Sequence, residues 1–357
     1  MGMPSINISF KETAIASMER AERGIVALIL KEETVPASNP IAVLSPADIP
    51  TGISDFNKKQ INLTLMGYVK SPKKVICFFV DDDEADGVNY TEAYNYFAHT
   101  SFDYMAIPTV ATDGKTQEVA TWIKGQRTGG KMCKAVLPNT AADNEGIVNF
   151  ATASMTDGEE TFTTEEYCSR IAGLIAGTPL TISCTYAPLN ELVDCSHLTN
   201  ADMDTAINAG KFIIYFDGEK VKVGRGVNSL VTTNEDKGAD FKKIKLVDAM
   251  DMIYTDIKMT AQDNYLGKYS NSYDNKCLLM SAISGYFDQL MLDGVLGGYS
   301  VGIDIAAQRA YLKGTGVNTD TMNDDEIKAY NTGSQVFLKS TISILDAIED
   351  ITLSINI

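Results

Sequence analysis

The chain has 357 residues, more than one typical hydrophobic core holds, so two or more domains are expected. With 45% hydrophobic residues it is globular, and no apolar run approaches the roughly 20 residues that a membrane span needs. A formal charge of −17 argues against binding a nucleic-acid backbone, which calls for clustered Lys and Arg, and favours solubility at high copy number.

Near the start, Ile6, Ile8 and Phe10 interleave with Asn7, Ser9 and Lys11. Side chains change face at every strand residue, so this segment reads as a strand with one apolar face. It has no basic region followed by an apolar core, so no signal peptide is expected and folding is expected in the cytoplasm. Gly24 to Leu30 is an apolar run short enough for a buried strand. The next forty or so residues, with Pro36, Pro40, Pro46, Pro50 and Gly52, predict an irregular excursion ending near Tyr68. Strands at Val75–Val80, Tyr104–Pro108 and Met132–Leu137 then alternate with helices at Thr91–Thr100 and Thr116–Arg127.

A capping box, Thr163 with Glu166 three residues on, opens a helix that runs to Gly177 with Ile171, Leu174 and Ile175 inside. Thr181–Tyr186 reads as a strand, Thr199–Ala209 as a helix and Lys211–Phe216 as a strand. Asp217-Gly218 turns the chain into a hairpin partner at Glu219–Val223. Such alternation predicts an α/β domain with a largely parallel sheet over residues 21–240. From Phe241 to Tyr265, Val247, Met250, Tyr254, Ile257 and Ala261 form one apolar stripe of a longer helix. Cys277–Leu292 reads as a buried helix, Val301–Ile305 and Gln335–Leu345 as strands, and Asp324–Tyr330 as a short helix. These place a smaller α+β domain over residues 241–350. The chain closes as it opens, with Ile351, Leu353, Ile355 and Ile357 alternating with Thr352, Ser354 and Asn356. Two apolar terminal strands need a sheet edge each, in their own fold or in a neighbouring subunit.

Sites with reactive chemistry are only approximated. Gly125 to Lys131 has phosphate-loop spacing, but Met132 stands where a Ser or Thr hydroxyl would hold magnesium, and the segment leads from a helix into a strand. Asp82, Asp83, Glu84 and Asp86 imitate half a calcium loop, with Ala93 where a bidentate Glu belongs, and read as a solvated acidic loop. Asp248 and Asp251, and Asp324 and Asp325, read as carboxylates on solvated faces. Cys77, Cys133, Cys168, Cys184, Cys195 and Cys277 are scattered and read as free thiols, and Cys195 with His197 is too small a set for zinc. No catalytic, cofactor or metal residue is assigned, and the expectation is a protein that is not an enzyme. The alternative from another class is an α/β enzyme with a small-molecule site near the strand ends.

The segments without reactive chemistry carry a resemblance. Gly2-Met3-Pro4-Ser5-Ile6-Asn7-Ile8 with Arg23 to Leu28, Val221-Lys222-Val223 with Gly226 to Leu230, and Ala249 to Ile253 with Asp256 resemble contractile phage tail sheath proteins. So do Tyr265-Leu266-Gly267-Lys268 with Asn271 to Lys276, and Asp346 to Asp350 before the last strand. The chain is most similar to short sheaths of Gram-positive phages and of R-type bacteriocins of the diffocin kind. The resemblance implies hexameric rings stacked on a tail tube, terminal arms exchanged as strands between subunits, and contraction that drives the tube through the target envelope. It also implies partners: the chain itself, the tail tube protein, and baseplate and tail terminator proteins, with neither nucleic-acid binding nor membrane insertion. The expected locations are the host cytoplasm during assembly and the phage tail or a tail-like particle after release. On this reading residues 1–20 are the N-terminal arm, 21–240 the outer domain, 241–350 the inner, tube-facing domain and 351–357 the C-terminal arm. The strand contacts between subunits are then Ile6, Ile8, Phe10, Ile351, Leu353, Ile355 and Ile357.

Overall fold

The computed structural model describes Met18, residues 20–82 and residues 87–356. Ile6, Ile8, Phe10 and Ile357, and residues 83–86 of the acidic loop, lie outside these. The chain divides into two compact units, Ala21–Thr255 with Leu345–Ile357, and Asp256–Ile344 together with residues up to Arg20.

The larger unit opens with β1 (Ile25–Glu32), β2 (Ile41–Val43), α1 (Asp55–Leu65), β3 (Lys74–Asp81), α2 (Thr91–His99), β4 (Tyr104–Ala106), α3 (Thr116–Thr128), β5 (Lys134–Pro138) and β6 (Ile147–Phe150). It continues with β7 (Ser154–Thr156), β8 (Thr161–Thr163), α4 (Thr164–Ala176), β9 (Asp194–Cys195), α5 (Asn200–Asn208), β10 (Lys211–Phe212), β11 (Ile214–Phe216) and β12 (Val221–Val223). Seven strands form one sheet in the order β10-β6-β5-β4-β1-β3-β2, with β2 alone running antiparallel to its neighbour. Its outermost strands are stubs of two and three residues. A continuous apolar β1 follows from burial on both faces. Val26, Leu28 and Leu30 face Ile61 and Leu65 of α1 and Ile171 and Leu174 of α4, whereas Ile25, Ala27 and Ile29 face Phe97 of α2 and Ile123 of α3.

Helix α4 starts at the expected capping box, and Glu166 reaches back to the Thr163 amide at 2.7 Å. Its Gly173 lets α1 approach so closely that a Cβ there would lie 2.0 Å from the Thr64 carbonyl oxygen. Helix α1 itself falls within the expected irregular excursion. Its buried face carries Asn57, Gln60 and Thr64 beside Ile61, Leu63 and Leu65, so polar side chains interrupt the apolar period that would reveal it. The Asn57 amide donates to the Lys31 carbonyl at 2.6 Å and to Glu32 at 2.7 Å.

Two expected strands are corrected. Residues 181–186 form turns, with the Ile182 amide bonded to the Pro179 carbonyl and Tyr186 at a φ of 58°. The Lys211–Phe216 run is split at Ile213, because β10 pairs with β6 while β11 pairs with β12 in a separate hairpin.

Helix α6 (Ile244–Thr260) begins in the larger unit and ends in the smaller. Its expected stripe is corrected too: Tyr254 is exposed, and Lys245, Asp248 and Asp251 are buried with Ile244, Val247 and Ala249. The two aspartates are thus not solvated. Lys134, itself buried, reaches Asp248 at 3.0 Å and Asp251 at 2.8 Å. Arg127 bonds Asp251 at 2.8 and 3.0 Å, and the Tyr104 hydroxyl donates to Asp248 at 2.7 Å. Burial pushes the Asp251 carboxyl up, and Lys134 and Arg127 more than reverse this, holding it below its ordinary value.

The smaller unit adds α7 (Tyr273–Leu292), β13 (Leu296–Ile303), α8 (Ile305–Gly314), α9 (Asp324–Ala329) and β14 (Leu338–Ile344). Only one face of α7 is buried, through Ala282, Ile283, Tyr286, Phe287 and Leu290, and Leu292 is exposed. The Tyr286 hydroxyl donates to Asp256 at 2.6 Å, and Phe287 packs on Tyr299 of β13 with ring centroids 5.3 Å apart. Strand β13 starts five residues earlier than Val301, since a bulge at Leu296/Gly298 and the glycines beside it hide its alternation. Ile305 is helical, because Asp304 caps α8 by accepting from the Ala307 amide at 2.9 Å.

Candidate assembly surface

Past β14 the chain enters the larger unit at Leu345. There the root of the C-terminal segment is held by charge. The Glu349 carboxylate, with 6% of its side chain exposed, accepts from the Ser183 hydroxyl at 3.0 Å, the Thr185 hydroxyl at 2.5 Å and Arg225 Nε at 3.1 Å. Lys243 Nζ lies 3.7 Å from Glu349 and also binds Asp346. Arg225 reaches Asp350 at 2.5 Å, and the Lys245 ammonium donates to the Leu345 carbonyl. The alternation of Thr181 to Tyr186 that reads as a strand instead presents Ser183 and Thr185 to this carboxylate.

Two residues beyond Glu349 the environment inverts. Ile351, Leu353 and Ile355 are 82%, 77% and 74% exposed, and residues 345–356 are in neither helix nor strand. A two-residue apolar period gives a strand only where an edge is present to pair with it. The smaller unit offers such edges. β13 and β14 form a two-stranded antiparallel sheet, eight and seven residues long, whose outer edges are unpaired among the described residues.

The sequence motifs with reactive character serve the fold. The Lys131 ammonium donates to the carbonyls of Phe97 and, at 2.7 Å, Thr100, closing the C-terminal end of α2, and lies 4.9 Å from the Phe102 ring centroid. Asp82 pairs with Lys31 at 2.7 Å. His197 bonds Asp194 at 2.8 Å, while the buried Cys195 thiol faces the Ile214 carbonyl. Asp324 and Asp325 pair with Arg309 and Lys328 at 2.9 and 3.0 Å. Five of the six cysteines are buried, all six are free, and burial raises the Cys77, Cys133, Cys168, Cys184 and Cys195 thiols. A cleft of about 390 Å3 is lined by Arg23, Lys73, Asp103 and Asp248. It lies at the amino ends of β1, β3 and β4, whereas doubly wound sheets hold ligands at the carboxyl ends.

The surfaces that stand out among the described residues are an exposed apolar tail and a two-stranded sheet with unpaired outer edges. The chain belongs to the phage tail sheath family: residues 83–229 match the phage tail sheath protein central domain and residues 236–357 the phage tail sheath C-terminal domain. It is 37% identical over 363 aligned positions to the tail sheath protein of Clostridium phage phiCD119, covering 99% of each chain. It is 30% identical over 175 residues to the phage-like element PBSX protein XkdK of Bacillus subtilis, covering 47% of this chain and 37% of that protein. Among solved structures, the sheath tail protein from Desulfitobacterium hafniense matches with a TM-score of 0.71 at 18% identity, over 85% of this chain and 94% of that one. The contracted helical sheath of the anti-feeding prophage matches with 0.70 at 16%, over 100% and 99%. The protein is therefore a phage tail sheath protein, with the mixed α/β fold of that family. Among the described residues no helix is long and apolar enough to cross a membrane.

Proposed function

We propose that the chain polymerises as hexameric rings stacked around a tail tube, and that its terminal arms add as strands to the β13–β14 sheet of neighbouring subunits. The observation that carries this reading is the run Ile351, Leu353 and Ile355, strand-patterned, exposed and anchored at its base. Ile6, Ile8 and Phe10 at the other end, and Ile357, share the pattern. Of the expected inner segment 241–350, residues 256–344 face the tube, while residues 21–240 lie outside and carry the docked residues 345–350. Baseplate and tail terminator proteins cap the cylinder, which assembles in the host cytoplasm and leaves with the tail. Contraction drives the tube through the target envelope, powered by free energy stored at assembly. The similarity to a contracted helical sheath supports self-assembly.

Each donated aliphatic side chain contributes roughly 1.5–3 kcal/mol on burial and each ladder hydrogen bond about 0.5–1.5, against about 1–2 kcal/mol per residue for ordering the arm. One arm is modestly favourable alone. A ring in which every subunit gives and accepts strands sums those margins, so assembly is cooperative. The test is deletion of Ile351–Ile357, followed by circular dichroism and negative-stain microscopy. Folded subunits that form no rings or cylinders are expected. Unfolding of the truncated chain, or normal cylinders, overturns the reading.

A further inference from the structure

The transition at Glu349 is abrupt. On one side a carboxylate is buried among two hydroxyls and a guanidinium, with an ammonium nearby, drawn from three separate stretches of the larger unit. On the other side three large aliphatic side chains are left in solvent. A tail that merely frays after its last strand gains nothing by burying a carboxylate, which is tolerable only where donors replace its water. Arg225, Lys243 and Lys245 match Asp346, Glu349 and Asp350 in number. They hold residues 345–350 in place although Ile348 among them is 88% exposed, so polar contacts rather than apolar burial fix this stretch.

We propose that this cluster is a positioning clamp for assembly, with Glu349 as its central positioning residue. It fixes the root of the C-terminal arm on its own subunit, so that only residues from Ile351 onward are ordered when the arm joins a second copy of the chain. The proposal rests on the arm reading above. A strand launched from a fixed root explores a small volume. Freeing residues 345–350 nearly doubles the unfixed length, which dilutes the arm at its acceptor edge and adds residues to be ordered on docking.

The experiment uses the full chain with Cys277→Ser and a nitroxide attached at Ile348→Cys. Glu349→Ala and Arg225→Met attack the clamp from its two sides. Spin-label mobility, melting of the unassembled subunit and the protein concentration at which cylinders appear are measured together. Both variants are expected to remain folded, to show a mobile label, and to need at least tenfold more protein to assemble. A mobile label with assembly at the parent concentration overturns the clamp. An unchanged label in both variants overturns it as well, because the root would then not depend on Glu349. If Glu349→Ala does not fold, Glu349→Gln is read in its place, since it keeps an acceptor for the two hydroxyls and loses only the charge. Normal assembly by the chain lacking residues 351–357 instead overturns the arm reading itself.

Discussion

Arg127 holds Asp251 through two parallel hydrogen bonds, 2.8 and 3.0 Å long, joining α3 to a helix more than a hundred residues further along the chain. Both side chains are about nine-tenths buried, and Lys134 completes the group from β5. Removing one partner of a buried pair strands the other charge. Asp251→Ala is therefore expected to destabilise the unassembled subunit by about 3–5 kcal/mol, measured by urea unfolding.

The same network sets an acid limit. Asp251 is held below its ordinary value of 3.8 and Glu145, paired with Lys237 and Arg127, below its ordinary 4.5. A depressed carboxylate contributes stability above its unfolded value and loses it as pH falls toward its folded value. Subunit stability is thus expected to decline from about pH 4.5 downward as these groups protonate. Asp103, which burial pushes above its ordinary value, works in the opposite direction and blunts the decline. Melting temperature against pH checks this, and Asp251→Asn should flatten the acid limb.

Gly173→Ala places a methyl group 2.0 Å from the Thr64 carbonyl, where backbone rather than a side chain must give way. A loss of about 1–3 kcal/mol is expected, as for overpacked cores. Gly125→Ala on α3 is the control, since a Cβ there meets nothing within 4 Å.

Lys131→Ala is expected to cost about 1.5–3 kcal/mol through its lost carbonyl partners and to leave assembly unchanged. Added nucleotide should shift melting in neither protein. A nucleotide-dependent shift in the parent that disappears in the variant would revive the phosphate-loop reading.

Leu353→Lys separates folding from assembly. Leu353 is 77% exposed in the subunit, so the change is expected to alter its stability by less than about 0.5 kcal/mol. On a paired strand the ammonium would be buried without a partner, and sedimentation should find monomers only.

The parallel sheet was legible because its strands are buried on both faces and therefore read as unbroken apolar runs, Ile25 to Leu30 and Val75 to Val80. The capping box at Thr163 and Glu166 was legible because it is local chemistry. Helix α1 was hidden by Asn57, Gln60 and Thr64, whose burial depends on partners elsewhere in the sequence. Asp248 and Asp251 were misread for the same reason, since their cations lie on α3 and β5. The C-terminal alternation could be read directly, but not the clamp at its root. Ser183, Thr185, Arg225 and Lys243 converge on Glu349 only through the tertiary fold.

Sheet edges bear on a hazard particular to a chain that, as proposed, polymerises at high copy number. The seven-stranded sheet ends in β10 and β2, of two and three residues, too short to template an intruding strand. The β13–β14 pair, of eight and seven residues, is long enough to register a donated arm. On the proposed arm exchange, strand length would discriminate between ordered growth and amorphous sticking. Extending β2 beyond Val43 by substituting strand formers for Leu44, Ser45 and Pro46 would give arms a second, wrong address, and the cost would appear as tangled aggregates rather than as an unstable subunit.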